Sequence, residues 1–498
     1  MNVNPITRLD YPDPDVIRVE DTYYMVSTTM HFMPGCEILQ SFDLVHWEHA
    51  TYVYETLDHT DAQQLKSGQN IYGQGMWAAS LRYHEGRFYI CFVANDTRKT
   101  YLYTSEKIDG PWKKQLIEGF YHDGSLLFDE DGRNYIVYGN DEIWITELNE
   151  DLTAPKKDGL HRLLVSDHKN PELGYEGSHI QKINGYYYIF LIHSLRDRWM
   201  RTEACFYSDS LEGEFTGGDV LCDDRGYCGQ GVAQGGIVDT PDGKWYAMLF
   251  QDSGAVGRLP ILLPVTWKDH FPVFGQNGHV PEEIEVHSTR PGYIYQPLVG
   301  SDDFCNGLLP RWQFNHDPDP RYYHLDALQG TYTITTREVC TELTQAVNTL
   351  TQRMSYPSCA AEVTVDVSAL KEGDVAGLCA LQSCYAAVGI TKHHGKYEVL
   401  MLDKKEDGIL DMTEGTVVES HQMDFRLEAD FCNMKDEARC YYRVNKGDWL
   451  PIGTVHKLYF KLDHFTGCRF GLFCYAAEET GGSACFRDFK YYDVDEIS

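Results

Sequence analysis

No stretch of this 498-residue sequence approaches the roughly 20 consecutive apolar residues that span a bilayer. No coiled coil, low-complexity tract or long disordered linker is evident either. Basic residues are scarce: 43 Lys and Arg stand against 75 Asp and Glu, a net charge of −32. Such a balance repels phosphate backbones and anionic membrane surfaces, which excludes nucleic acid and membranes as expected partners. The twenty His include no HExxH or comparable ligand spacing, so no zinc site is expected. The fifteen Cys show no paired CxxC spacing and sit mostly in apolar runs such as Phe473-Cys474-Tyr475, which suits buried reduced thiols better than a disulfide framework. MNVNPITRLDYPDPDVIRVE lacks the basic start and apolar core of a secretory leader, so the expected setting is the cytoplasm.

What is abundant is aromatic side chains, 34 Tyr and 22 Phe among many Gly-punctuated short segments, a composition that leans all-β. Five segments share one form, an apolar run, a turn, an aromatic pair and a second apolar run: 15–27, 80–94, 125–139, 178–193 and 235–250. Each reads as a β-hairpin. Their turns, Glu20-Asp21, Glu85-Gly86, Asp131-Gly132, Asn184-Gly185 and Asp242-Gly243, carry residues that tolerate the positive φ of a tight hairpin. Tyr24, Tyr89, Tyr135, Tyr188 and Tyr246 mark the same place in each copy, at spacings of 65, 46, 53 and 58 residues. That suits one four-stranded blade per copy, hence a five-bladed β-propeller. Three passages, 41–47, 105–112 and 208–215, each join a serine to a large aromatic and read as turns leading to outer strands.

The repeats end near Gly275, a Pro/Gly-containing passage follows, and separate alternating strands begin at Ser301. Val363, Val365 and Val367, then 397–402 and 457–462, read as strands of a β-sandwich. The expected division is a propeller over 1–290, a linker over 291–300 and a sandwich over 301–498.

Residues just ahead of the innermost strands of a propeller converge on one mouth of its axis. Counting back from the marker tyrosines brings Asp13, Trp77, Asp123, Glu176 and Gln234 to that mouth. Three carboxylates on separate blades suit inverting glycoside hydrolysis, in which an acid protonates the leaving oxygen and a base activates water from roughly 6.5–9.5 Å away. A third charge nearby separates the pKa values of the other two, the role expected for Asp123.

Tyr11-Pro12-Asp13-Pro14-Asp15, His122-Asp123-Gly124-Ser125 and Tyr175-Glu176-Gly177-Ser178-His179 resemble glycoside hydrolase family 43, whose members include β-xylosidases, α-L-arabinofuranosidases and arabinanases. The resemblance extends through the C-terminal sandwich of the β-xylosidase branch, a concanavalin-like domain. It implies Asp13 as general base, Asp123 as modulator and orienter, Glu176 as general acid, Arg258 in the sugar pocket, and Phe32 and Trp77 as aromatic walls. The chemistry it implies requires no cofactor. Many relatives have His near a hydrated calcium where Gln234 stands here; the Gln234 carbonyl oxygen could serve such an ion or bond substrate. The expected substrates are xylan- or arabinoxylan-derived oligosaccharides, cleaved from the non-reducing end to release β-D-xylose or α-L-arabinofuranose, with a loop of the sandwich closing the channel. The alternatives are an arabinanase or polymer-acting arabinofuranosidase with an open groove, and a noncatalytic carbohydrate-binding propeller. Homo-oligomerisation, metal occupancy and the choice between the two sugars stay open at this level.

Overall fold

The structure, a computed structural model, describes residues 3–493. Five four-stranded antiparallel sheets are arranged around an axis, each in simple meander order. Their innermost strands are Asp15–Val19, Met76–His84, Ser125–Phe128, Glu176–Ile183 and Val232–Asp239, and each packs against its two neighbours to close a ring. The marker tyrosines occupy one register throughout: Tyr24 pairs with Ile17, Tyr89 with Arg82, Tyr135 with Leu127, Tyr188 with Gln181 and Tyr246 with Val238. The hairpin turns take left-handed backbone where expected, at Glu20, Glu85, Asn184, Gly132 and Gly243. The serine-to-aromatic passages join the third strand of a blade to its outermost one, as between Gly35–Ser41 and Glu48–Tyr54.

The blades hold together because every strand buries apolar residues against the adjacent blade. Val26, Ile38, Leu81, Ile90 and Phe92, for example, form one shared core between the first and second blades. Each such side chain contributes about 1.5–3 kcal/mol on burial. Closure between the last and first blades is reinforced by the N-terminal segment, which runs along the strand Arg258–Lys268. There Asn4 Nδ2 donates to the Leu262 carbonyl (2.7 Å), Leu262 N–H donates back to Asn4 Oδ1 (2.8 Å), and Tyr11 N–H donates to the Arg258 carbonyl (3.0 Å).

The C-terminal part is a two-sheet sandwich. The strands Asp374–Leu381 of one sheet and Gln422–Asp430 of the other face each other, and Val363, Val365, Leu378 and Phe425 share the core between the sheets. It is sewn to the propeller: Phe32–Met33, from the first blade's loop, pairs with Gln313–Asn315 at the end of a sandwich sheet. Buried Arg353 reaches back, its Nε donating to the Asp10 carbonyl (2.8 Å) and its Nη1 pairing with Glu37 Oε2 (2.8 Å). The connecting segment is itself pinned to the first blade, through Arg290 to Asp21 (2.7 Å) and Gln296 N–H to Glu48 Oε2 (2.8 Å).

One expected strand is corrected. The run 457–462 is not a strand; Leu450–Lys457 ends at Lys457. Leu458 N–H donates instead to the Asp436 carbonyl (2.8 Å), which turns the chain out of the sheet and sends 459–467 toward the propeller. Among the described residues no helix is long and apolar enough to cross a membrane. Nine of the fifteen cysteines are buried and none is disulfide-bonded.

Candidate active site

Strand irregularities aim the axial residues. Register shifts interrupt the innermost strands between Met76 and Ala79, Glu176 and His179, and Ala233 and Gly236, and such bulges redirect a side chain that regular pleating would send sideways. Asp13, Asp123 and Gln234 have φ of 53°, 47° and 63°. That left-handed conformation costs a non-glycine residue free energy and concentrates at functional positions. Gly177 is needed beside them, since a Cβ there would lie 2.7 Å from the Gln234 side chain.

Asp13 is almost fully buried, with both oxygens occupied: Oδ1 accepts from Arg258 Nη1 (2.6 Å) and Oδ2 from the Thr28 hydroxyl (2.6 Å). Arg258 Nε donates to Asp252 Oδ1 (3.2 Å), and the other oxygen of Asp252 accepts from Arg201 Nε (2.8 Å). Asp252 thus holds two buried guanidinium groups in place. Asp123 Oδ2 accepts the Gly177 N–H (3.0 Å), and Glu176 Oε2 accepts Asn140 Nδ2 (2.7 Å). His122 comes between the two acids, its Nε2 3.6 Å from Asp123 Oδ2 and 3.5 Å from Glu176 Oε2.

These charges set one another. Burial pushes His122 down, but the negative charges of Asp123, Glu176 and Asp13 carry it up to about 9. Burial, with the charges of Glu176 and Asp13 added, pushes Asp123 up to about 6 against the opposing pull of His122. Burial also raises Glu176, yet His122, Arg201 and Arg258 outweigh it and hold that carboxyl below its usual range. Candidate ligand oxygens of Asp123 and Glu176 lie within 4.8 Å of each other, so the charge on either acid opposes ionisation of the other. His122 stands against Glu176, its Nε2 3.5 Å from Oε2, and its positive charge favours the ionised carboxylate there.

The sandwich completes the mouth. Phe465, on the segment that leaves the sheet after Lys457, lies 5.4 Å from the Trp77 ring in an edge-to-face arrangement, and the Arg258 guanidinium sits over its face at 3.9 Å. Gly73 admits this segment, since a Cβ there would lie 1.8 Å from the Asp463 carbonyl oxygen. Asp10 ties it down from below, its Oδ1 accepting Arg258 N–H (2.8 Å) and its Oδ2 accepting Gly467 N–H (2.7 Å). Trp77 is partly exposed beside His122, whereas Phe32 is 1% exposed with its face covered by Arg469 at 3.5 Å, a contact between domains. Gln234 is buried, its N–H donating to Glu203 Oε2 (2.7 Å).

Below the carboxylates the axis is filled by Arg82. All five of its N–H donors are used: Nε by the Leu126 carbonyl (2.8 Å), Nη1 by Asp15 Oδ2 (2.8 Å) and the Leu81 carbonyl (2.7 Å), Nη2 by Ser125 Oγ (2.7 Å) and the Ile180 carbonyl (3.2 Å). His179 Nδ1 completes the knot at 3.1 Å from Asp15 Oδ1. At this level of the axis the oxygens of Asp15, Leu81, Ser125, Leu126 and Ile180 already accept from a guanidinium spanning four blades, so this group of residues does not fit a calcium ion. His122, Asp123 and Glu176 also lie within metal-ligand reach of one another.

The family model for glycosyl hydrolases family 43 matches residues 3–272, and that for the β-xylosidase C-terminal concanavalin A-like domain matches 301–492. The chain belongs to glycosyl hydrolases family 43. A β-xylosidase of Formosa agariphila is 26% identical to this family 43 protein over 99% of its chain and 89% of the relative's. A solved bifunctional GH43-CE protein of Bacteroides eggerthii superposes with a TM-score of 0.91 at 42% identity, over 98% of this chain; the chain spans 63% of that longer protein. A GH43 glycoside hydrolase engineered to display both endo-xylanase and exo-arabinofuranosidase activity superposes with a TM-score of 0.86 at 27% identity, over 99% of both chains.

The repeat placed the three carboxylates, Trp77 and Gln234 at one mouth and the family resemblance added Arg258, but Thr28, Asn140, Arg201, Asp252 and Phe465 were missed and His122 was assigned no role. Arg82 carried a readable signal: the other copies place Ile17, Leu127, Gln181 and Val238 at its register position, so an arginine there announces an axial charge. Phe465 carried none, because its place depends on how the two domains pack.

Proposed function

We propose that this family 43 enzyme is an inverting exo-glycoside hydrolase that releases terminal β-D-xylose or α-L-arabinofuranose from xylan- or arabinoxylan-derived oligosaccharides. In this reading the propeller, residues 1–290, is the catalytic domain, and the sandwich, 301–498, closes its mouth. Asp13 is the general base. Its carboxylate, oriented by Arg258 and Thr28, takes a proton from the water that attacks the anomeric carbon. Glu176 is the general acid for the leaving oxygen, and Asp123, fixed by the Gly177 N–H, adds the neighbouring negative charge that favours a protonated Glu176. Trp77 and Phe465 offer apolar surface to a sugar ring, with Arg258 against the face of Phe465. No step calls for a metal ion.

The observation that carries the reading is the meeting of Asp13, Asp123 and Glu176 from three blades beneath a segment of the second domain. A closed mouth admits a chain end rather than the middle of a polymer, which supports exo cleavage, and relatives named β-xylosidase and xylosidase/arabinosidase support the two sugars. The test is initial rates on 4-nitrophenyl β-D-xylopyranoside and 4-nitrophenyl α-L-arabinofuranoside, with Asp13→Ala as blank, together with product sizes from xylohexaose. Monosaccharide as the first product is expected. Internal fragments as the first product would reject the exo reading, and wild-type rates no higher than the Asp13→Ala blank on every xyloside and arabinoside would reject the substrate class.

A further inference from the structure

We infer that His122 is a proton-relay residue that supplies Glu176 with the proton delivered to the leaving glycosidic oxygen. The inference rests on the reading of Glu176 as the general acid. His122 Nε2 is buried and aimed at the acid pair, in ion-pair range of both: 3.5 Å from Glu176 Oε2 and 3.6 Å from Asp123 Oδ2. The residue is held there on two sides: its carbonyl accepts the Gly139 N–H (3.0 Å), and its ring stands edge-on to Trp77 at 6.0 Å. A movement of roughly 0.7 Å brings Nε2 within hydrogen-bond distance of Glu176.

The charges supply the reason for a relay. Asp123, Glu176 and Asp13 face the imidazole and keep it protonated, while His122, Arg201 and Arg258 keep Glu176 ionised. In the substrate-free site the proton therefore rests one residue away from the group that must donate it. Binding a neutral sugar expels water, which penalises the His122 imidazolium and Glu176 carboxylate pair relative to neutral imidazole and carboxylic acid. The Nε2–H bond breaks as an O–H bond forms on Glu176. That O–H bond breaks in turn as the proton passes to the glycosidic oxygen and the anomeric C–O bond cleaves. Asp13 takes the proton of the attacking water. Loss of that proton from Asp13 to solvent and uptake of another at His122 restore the starting state.

The test is His122→Gln, which keeps a donor nitrogen at similar reach but carries no transferable proton. Its kcat is compared with wild type on xylobiose, whose leaving group needs an acid, and on 4-nitrophenyl β-D-xylopyranoside, whose leaving group needs little help. Positioned acid catalysis is worth about 10²–10⁴-fold, so a loss at least about tenfold greater on xylobiose is expected, with the alkaline limb of its pH profile moved to lower pH. Equal losses on both substrates, or an unmoved limb, overturn the relay and leave a packing role. Glu176→Gln serves as the control: if it shows no difference between the two substrates, the assignment of Glu176 has failed, whatever His122 does. Should the Gln variant not fold, the wild-type pH profiles decide: an alkaline limb on xylobiose that is weaker on the aryl glycoside supports the relay, and the same limb on both overturns it.

Discussion

The Arg258 guanidinium lies 3.9 Å from the centroid of the Phe465 ring, and the same guanidinium holds Asp13 through a 2.6 Å hydrogen bond. A side chain of the sandwich is thus two contacts away from the carboxylate proposed as the base. Arg258 occupies the first position of its strand, and Phe465 arrives on a segment that leaves its own sheet to reach it.

Phe465→Ala removes the ring that narrows the mouth and one face of a cation–π pair worth about 0.5–2 kcal/mol. The expected result is a fall in kcat/KM on xylobiose of about tenfold or more, with products longer than one sugar appearing from xylohexaose. Chromatographic product sizing checks it; monosaccharide alone from the variant would show that the ring does not close the channel.

Asp10→Asn puts an amide where a buried carboxylate accepts two backbone N–H groups, so one of them loses its acceptor. A destabilisation of about 1–3 kcal/mol in urea unfolding is expected. Because Asp10 and Phe465 act on one segment, their effects on kcat/KM should be non-additive in a double-mutant cycle. Strict additivity would separate the two.

We propose that Arg82, bonded to groups of four blades, takes the joining role that an axial metal ion would have. Chelation with EDTA is expected to leave both the melting temperature and kcat unchanged. Arg82→Met, which strips buried Asp15 of its main counter-charge, is expected to cost about 3–5 kcal/mol. A melting temperature that falls with EDTA and recovers with calcium would mean that a metal ion, and not this guanidinium, joins the blades.

Glu147 illustrates the acid side of stability. Hydrogen bonds from Arg133, foremost, and from Lys156 and the Leu160 N–H hold its carboxyl down at about 2. A depressed carboxyl stabilises the fold above its unfolded value near 4.5, and that contribution is lost as pH falls through 2. Glu147→Gln is therefore expected to melt a few degrees below wild type at pH 7, with the difference closing toward pH 2. A gap that persists at pH 2 would assign the effect to shape rather than charge.

The propeller was legible because its signals are local. A hairpin's register follows from its turn, and five hairpin turns in order, four of them of the Asn/Asp/Glu-Gly type and each followed by a tyrosine, specify five blades before any long-range contact is known. Asp13, Asp123 and Glu176 were found by the same route, since a residue's place along an innermost strand sets its height on the axis. The run 457–462 shows the limit. Its alternation reads as strand, yet the Asp436 carbonyl, distant in sequence until the sheet forms, captures Leu458 N–H and diverts the chain.

By itself, then, the sequence determined the repeat, the strand order within each blade and the convergence of three carboxylates, all consequences of turn chemistry and period-two patterning. Only the tertiary structure decided what surrounds them: that Phe465 stands against Trp77 and Arg258, that His122 faces Glu176 and Asp123, and that Arg82 bonds to four blades. Those placements arise from contacts between blades and between domains, where desolvation and charge act through space and sequence separation carries no information about distance.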